Sequence, residues 1–181
     1  VAEMIIDVIQ PKNSIALSIG CALGNVVYWL NKLGINAFGV DISEYAIKHS
    51  HVPDRVMLAD ITEKIPFPDG HFDYVFSRET LEHIAEEEIP QVLKEIFRVM
   101  KPGGVGLLSP ANNFCDKEAK KQVQGNDSAD ISHICVKSPY WWAKRCEEAG
   151  FTIDYERTLY AMSNGLAYKF YWSTVVIRKP L

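Results

Sequence analysis

The stretch Ser14–Gly24, SIALSIGCALG, decides how the rest of the chain reads. Ser14–Ile19 is an uncharged, mostly apolar run of strand length, and it stops at Gly20. Beyond Gly24 the period changes: Val26, Val27, Leu30 and Leu33 recur at helical spacing across Val26–Leu33. A buried strand, a two-glycine turn and a helix make the first half of a strand–helix–strand unit, whose strands lie parallel.

The same alternation continues outward. Ala37–Val40 is a second strand ending in Asp41, and Ser43 caps a helix through Ser50. Arg55–Ala59 is a third strand, ending in Asp60, and Phe72–Ser77 is a fourth. Only eleven residues, Ile61 to His71, join those two. They reach about 36 Å when extended, enough to cross two strand spacings without a long helix. Glu87–Met100 reads as a helix with Ile89, Val92, Leu93, Ile96 and Val99 on one face. Lys101-Pro102-Gly103-Gly104 is its stop and turn, and Val105–Ser109 is a fifth strand. Ser138-Pro139 opens a helix to Ala149, with Gly150 closing it. Phe151–Tyr160 and Tyr171–Arg178 read as two last strands, paired antiparallel at one edge with no helix between them. The fold class expected is α/β: a Rossmann-like, doubly wound sheet with helices on both faces.

At 181 residues and net charge −4, with 48% hydrophobic and 23% charged residues, the chain is expected to form one domain over 1–181. An incomplete helix is expected at its N-terminal end. No basic stripe appears, which argues against nucleic acid as a partner. Apolar runs are too short for a membrane span, and no leader peptide is visible from Val1. Cys21, Cys115, Cys135 and Cys146 include no CxxC pair, so neither a zinc knuckle nor a disulfide framework is expected. Reduced thiols in a cytoplasm are the default. Ala111 to Ile131 has little hydrophobic periodicity, and a loop of that length is either a lid over a site, spanning about 111–132, or a disordered segment.

In open parallel sheets ligands bind beyond the carboxyl ends of the strands. After the first strand stands Gly20-Cys21-Ala22-Leu23-Gly24. It is neither GxGxxG, because Ala22 holds the middle position, nor a P-loop. Asp41 follows 17 residues after Gly24, where a carboxylate can accept from vicinal ribose hydroxyls; capping the next helix is the alternative, and Ser43 competes for that task. Asp60, within Leu58-Ala59-Asp60-Ile61, pairs a carboxylate with an apolar shelf, suited to an adenine amino group or to a simple turn. Arg78-Glu79-Thr80-Leu81-Glu82-His83 gathers charge at the end of the fourth strand, as a site or as a salt-bridge cluster.

The chain resembles class I S-adenosylmethionine-dependent methyltransferases, of the small type 11 kind. The strings carrying the likeness are IALSIGCALG, FGVDIS, LADITEKIPFPDGHFDYVFSRETLEHI and VMKPGGVGLLSP. The resemblance implies strand order 3-2-1-4-5-7-6 with strand 7 antiparallel, and S-adenosylmethionine as cofactor, leaving S-adenosylhomocysteine. It also implies a cofactor set: Gly20, Cys21, Ala22 and Gly24 around the methionine part, Asp41 and Ile42 at the ribose, Asp60 and Ile61 at the adenine, and Ser77 and Arg78 after strand four. Two positions depart from the family. Ser18 stands where an acid is usual, and Ala22 replaces a glycine, tolerable if its backbone angles are ordinary.

An alcohol acceptor must lose a proton, and His83 and His133 are the candidate catalytic bases. No metal is expected, because the carboxylate cluster of metal-dependent catechol enzymes is not evident. The chain lacks the Asn/Asp-Pro-Pro-aromatic string of nucleic-acid amino methyltransferases and the Pro-Cys pair of cytosine C5 enzymes. Residues 130–142, DISHICVKSPYWW, resemble family members from sugar and surface-polysaccharide pathways. A small-molecule acceptor follows, with O-methylation of a sugar or polysaccharide precursor as the first expectation. The alternative is a non-catalytic partner or scaffold that keeps the fold. Half of the Phe, Tyr and Trp residues fall between Tyr140 and Trp172, as a stacking surface, a homodimer face or edge packing.

Overall fold

The computed structural model describes residues 14–111, 132–163 and 174–181. The expected N-terminal helix and, apart from Ala111 and Ser132, the lid therefore lie outside the described residues. Seven strands form one sheet: β1 (Ile15–Ile19), β2 (Asn36–Asp41), β3 (Val56–Leu58), β4 (Phe72–Arg78), β5 (Met100–Ser109), β6 (Thr152–Ile153) and β7 (Val175–Arg178). Their order is β3-β2-β1-β4-β5-β7-β6. Only β7 runs antiparallel to its neighbours β5 and β6. This is the arrangement that the family resemblance implies.

Among the described residues five α-helices cover the two faces: α1 (Asn25–Lys32), α2 (Glu44–Lys48), α3 (Ile89–Val99), α4 (Pro139–Glu148) and α5 (Tyr155–Ser163). Ile89, Val92, Leu93, Ile96 and Val99 of α3 join Trp142 and Cys146 of α4 in the core on one face. Each such buried side chain contributes about 1.5–3 kcal/mol. Val27 and Leu30 of α1 pack with Ala161 of α5 on the other. Ser43 and Ser138 cap α2 and α4 through their hydroxyls, as their positions predict.

Two expectations fail. Residues 151–160 are not one strand: only Thr152–Ile153 pairs with β7, and α5 starts at Tyr155. Asp154 ends the strand by capping the helix; its Oδ1 accepts from Arg157 N–H at 3.1 Å. The Thr158 hydroxyl then accepts from Val176 N–H at 2.9 Å, tying α5 to β7. The turn at Lys101–Gly104 also lies inside β5, as an irregularity between the pairs Phe72–Met100 and Tyr74–Val105.

The connection from β3 to β4 carries no α-helix and is held by α3 instead. Glu95 Oε2 accepts from Ile65 N–H (2.9 Å) and from Arg98 Nη2 (2.8 Å). Arg98 also donates to the carbonyls of Phe67 and Ile65 and to Asp69. Removing one partner of a buried network strands the other. Glu95→Gln should therefore lower stability by about 2–3 kcal/mol at neutral pH, since a charged hydrogen bond contributes about 1.5–3 kcal/mol. Arg98 holds the Glu95 carboxyl below its ordinary value of 4.5. Its contribution is thus fully present above that pH and fades as pH falls through the lower, folded value. Urea unfolding of both proteins at neutral and acid pH checks this, and a gap that stays constant with pH contradicts it.

Candidate active site

Register brings the strand ends level. Ile19 pairs with Val40 on one side and Ser77 on the other, and Asp41 pairs with Leu58. The turns leaving these strands form a cleft where the strand order reverses, between β1 and β4. It comprises two pockets that share Gly20, Ala22 and Glu79. The larger, about 460 Å³, is lined by Asp41, Ile42, Asp60, Ile61 and His83 among others. The smaller, about 210 Å³, is lined by Ser18, Cys21, Ser77 and Arg78 among others.

The floor is the turn after β1. Gly20 has φ +68°, and a Cβ there would sit 2.0 Å from Thr80 Oγ1. Only glycine fits both the angle and the space. Gly20 N–H and Cys21 N–H both donate to the Val40 carbonyl, at 2.9 and 3.0 Å. Ala22 corrects an expectation: its φ is +45°, not ordinary for a residue with a side chain. Its N–H donates to Asp41 Oδ2 at 2.8 Å, which holds the strained turn in place. Asp41 Oδ1 accepts from Ser43 N–H at 2.9 Å. Asp41 thus faces the larger pocket and braces the turn, while Ser43 does the capping.

Asp60 closes a turn and also faces the cleft. Its Oδ1 closes a turn with Thr62 N–H (2.9 Å) and hydroxyl (2.7 Å), and the residue lines the larger pocket with Ile61. Gly24 belongs elsewhere. It lines neither pocket; at φ +80° it starts α1, where a Cβ would meet Val52 Cγ2 at 2.7 Å and Ser50 Oγ at 2.8 Å. Burial, aided by the Asp41 charge, pushes the Cys21 thiol up to about 12, so it is a packing group and not a nucleophile. The Ser77 hydroxyl is buried with no hydrogen-bond partner among the described residues. An orphaned polar atom in a cleft wall is a point for a ligand to engage.

His83 and His133 come together: their rings meet edge to face with centroids 4.8 Å apart. His83 Nδ1 lies 2.9 Å from the Ser132 hydroxyl. Sequence reasoning missed the third member, Glu82, which is fully buried in a three-residue 3-10 turn between buried Leu81 and exposed His83. Glu82 Oε1 accepts from Ala111 N–H at 3.0 Å. Burial pushes its carboxyl above the usual range, against the opposing pull of backbone donors and both histidines. The string LEH signals the histidine, but nothing in it signals that the carboxylate turns inward. Of the aromatic residues beyond Tyr140, Trp142 is core, whereas Tyr140, Tyr155 and Tyr160 are exposed. Tyr168, Phe170, Tyr171 and Trp172 lie outside the described residues.

Comparison with known proteins gives the same frame. The family model described as a methyltransferase domain matches residues 17–108. Arginine-hydroxylase NDUFAF5, mitochondrial, of Rattus norvegicus is 39% identical over 95 residues, covering 50% of this chain and 27% of that protein. A 2-methyl-6-phytyl-1,4-hydroquinone methyltransferase of Synechocystis sp. is 30% identical over 154 residues, covering 77% of this chain and 47% of the relative. The chain therefore spans less than half the length of these curated relatives. A SAM-dependent methyltransferase structure from Methanosarcina mazei superposes with TM-score 0.73 at 19% identity, covering 98% of this chain and 97% of that one, a likeness of fold. No helix of the described residues is long and apolar enough to cross a membrane.

Proposed function

The chain belongs to the methyltransferase domain family, and from that premise we propose that it transfers a methyl group from S-adenosylmethionine to a hydroxyl of a small molecule. The observation that carries the reading is the hydrogen bond between Asp41 and the turn after β1, on the wall of the larger pocket. It fixes a carboxylate and the backbone of the β1 turn at the switch point, where dinucleotide and related folds hold a nucleoside. The residues fit that group: Asp41 sets an acceptor carboxylate on the wall of the larger pocket, and the buried Ser77 hydroxyl on the wall of the smaller one has no partner among the described residues. In this reading Asp41 and Ile42 hold the ribose, Asp60 and Ile61 the adenine, and Gly20–Ala22, Ser77 and Arg78 the amino-acid end.

When bound, the cofactor supplies a methyl group already made electrophilic by its sulfonium. The protein's own tasks are to position the acceptor in line and to deal with its proton. The His83–His133 pair serves the second task, with His83 on the wall of the larger pocket. The first acceptor class we put forward is a sugar or polysaccharide precursor, supported by the character of residues 130–142. Relatives named for phytyl-hydroquinone and phosphoethanolamine supply the competing acceptors for a screen.

Thermal unfolding with S-adenosylmethionine, S-adenosylhomocysteine and NAD tests the reading. A ligand at 100 times its Kd stabilises by about 2.7 kcal/mol, or roughly 5–10 °C in a domain of this size. A rise with the first two and none with NAD is the expected result. No rise with either adenosyl compound defeats it and favours a fold-only partner protein, for which Ser18 and the strained Ala22 would be the marks.

A further inference from the structure

Among the described residues, one group of side chains is arranged to hold a cation. Glu82, His83 and His133 each offer a ligating atom, all within 4.8 Å of one another. The geometry points to a site for one divalent transition-metal ion, bound by the Glu82 carboxylate and the two imidazoles beside the larger pocket. Two nitrogens and one carboxylate oxygen suit Zn²⁺, Co²⁺, Fe²⁺ or Mn²⁺.

Three features support the site. First, the segment carrying His133 is tied to the turn carrying the other two ligands: Ile134 N–H and Cys135 N–H both donate to the Glu82 carbonyl at 2.9 Å. Second, Glu82 is completely buried, and its Oε2 has no hydrogen-bond partner among the described residues. A buried carboxylate oxygen without a donor is costly unless a cation meets it. Third, two of the ligands are oriented by their own partners. His83 Nδ1 lies 2.9 Å from the Ser132 hydroxyl, which leaves its Nε2 for the ion, and Glu82 Oε1 is held by Ala111 N–H, which leaves Oε2. Ligands around an ion with bonds of about 2.0–2.1 Å sit closer than 4.8 Å, so binding draws the rings inward.

Three protein ligands leave open positions on the ion, and His83 lies on the pocket wall. An acceptor hydroxyl bound there has its pKa lowered. This consequence rests on the methyl-transfer reading. With the ion in place the proton passes to water, and the two histidines, which are the proton acceptors of the metal-free site, act as its ligands.

The metal is tested without cofactor, so that the two proposals fail separately. Purified full chain, freed of metal with chelator, is titrated with Co²⁺ and followed by its visible absorption. The expected result is one ion per chain with the d–d bands of nitrogen and oxygen ligation, displaced by Zn²⁺. His83→Ala and His133→Ala should each weaken Co²⁺ binding by about tenfold or more, with circular dichroism unchanged. Glu82→Gln should do the same where it folds; the two histidine variants decide the matter where it does not. No Co²⁺ absorption, or affinity unchanged in both histidine variants, overturns the site and leaves the imidazoles as proton acceptors.

Discussion

Asp41→Ala should weaken S-adenosylhomocysteine binding by about 100-fold or more, and should abolish the thermal rise given by S-adenosylmethionine. Two losses combine. The carboxylate no longer faces the larger pocket, so the ligand's hydroxyls lose a charged acceptor; such a bond is worth about 1.5–3 kcal/mol. Ala22 N–H also loses its partner at 2.8 Å, and with it the restraint on a residue at φ +45°. A strained turn without its brace relaxes toward ordinary angles and spoils the floor of the cleft. A hundredfold loss corresponds to about 2.7 kcal/mol, within what the first loss alone can supply. Asp41→Asn separates the two. Its amide keeps one acceptor oxygen but sets an NH₂ against either Ala22 N–H or Ser43 N–H, which both donate to the carboxylate. It should fall between wild type and alanine. Isothermal titration of all three reads the order, and alanine binding within about threefold of wild type would remove Asp41 from the site.

Much of this was legible in the chain, for definite physical reasons. The period of two or of continuous apolar runs, broken at Gly20, Asp41 and Asp60, is what a buried parallel sheet imposes, and those break points are where the cleft opens. The α3 face was legible because a single helix buries five apolar residues at regular spacing. The edge was not. In Phe151–Tyr160 the aromatic and β-branched residues suggest a strand, but Asp154 caps a helix whose inward positions are Thr158 and Ala161. A small residue and a hydroxyl give a weak helical signal, and only the pairing of Thr158 with β7 decides the matter. Gly24 misled for a related reason: a glycine in the turn after a strand signals a positive φ, not what the angle serves. Glu82 was invisible because burial of a carboxylate depends on residues 52 positions away, around Ile134, that dock on its carbonyl.

Gly20→Ala should cripple both the fold and the site, and its partner substitution should show why. The new Cβ would lie 2.0 Å from Thr80 Oγ1 and 2.6 Å from Thr80 Cγ2, closer than real atoms approach. Thr80 is not free to retreat, because its hydroxyl lies 3.0 Å from the Arg78 carbonyl and 3.3 Å from that of Ile19. Overpacking of this kind costs about 1–3 kcal/mol. The left-handed backbone at φ +68° adds about 1–2 kcal/mol for any residue with a side chain. The single variant should therefore lose about 2–5 kcal/mol, and roughly 5–15 °C in melting temperature. Thr80→Ala alone should be mild, removing one partly buried hydroxyl. In the double variant the clash with Oγ1 and Cγ2 disappears, while the 2.8 Å approach to the Cβ at position 80 and the backbone penalty stay, so part of the loss should return. A double-mutant cycle measured by urea unfolding then yields a favourable coupling of about 1–3 kcal/mol between positions 20 and 80. Strict additivity would mean that the Thr80 Oγ1 and Cγ2 atoms are not what requires Gly20. Cofactor binding gives an independent reading, because Thr80 and Gly20 both line the larger pocket. A double variant that regains stability but not binding would place the backbone angle, and not the packing, at the root of the turn's function.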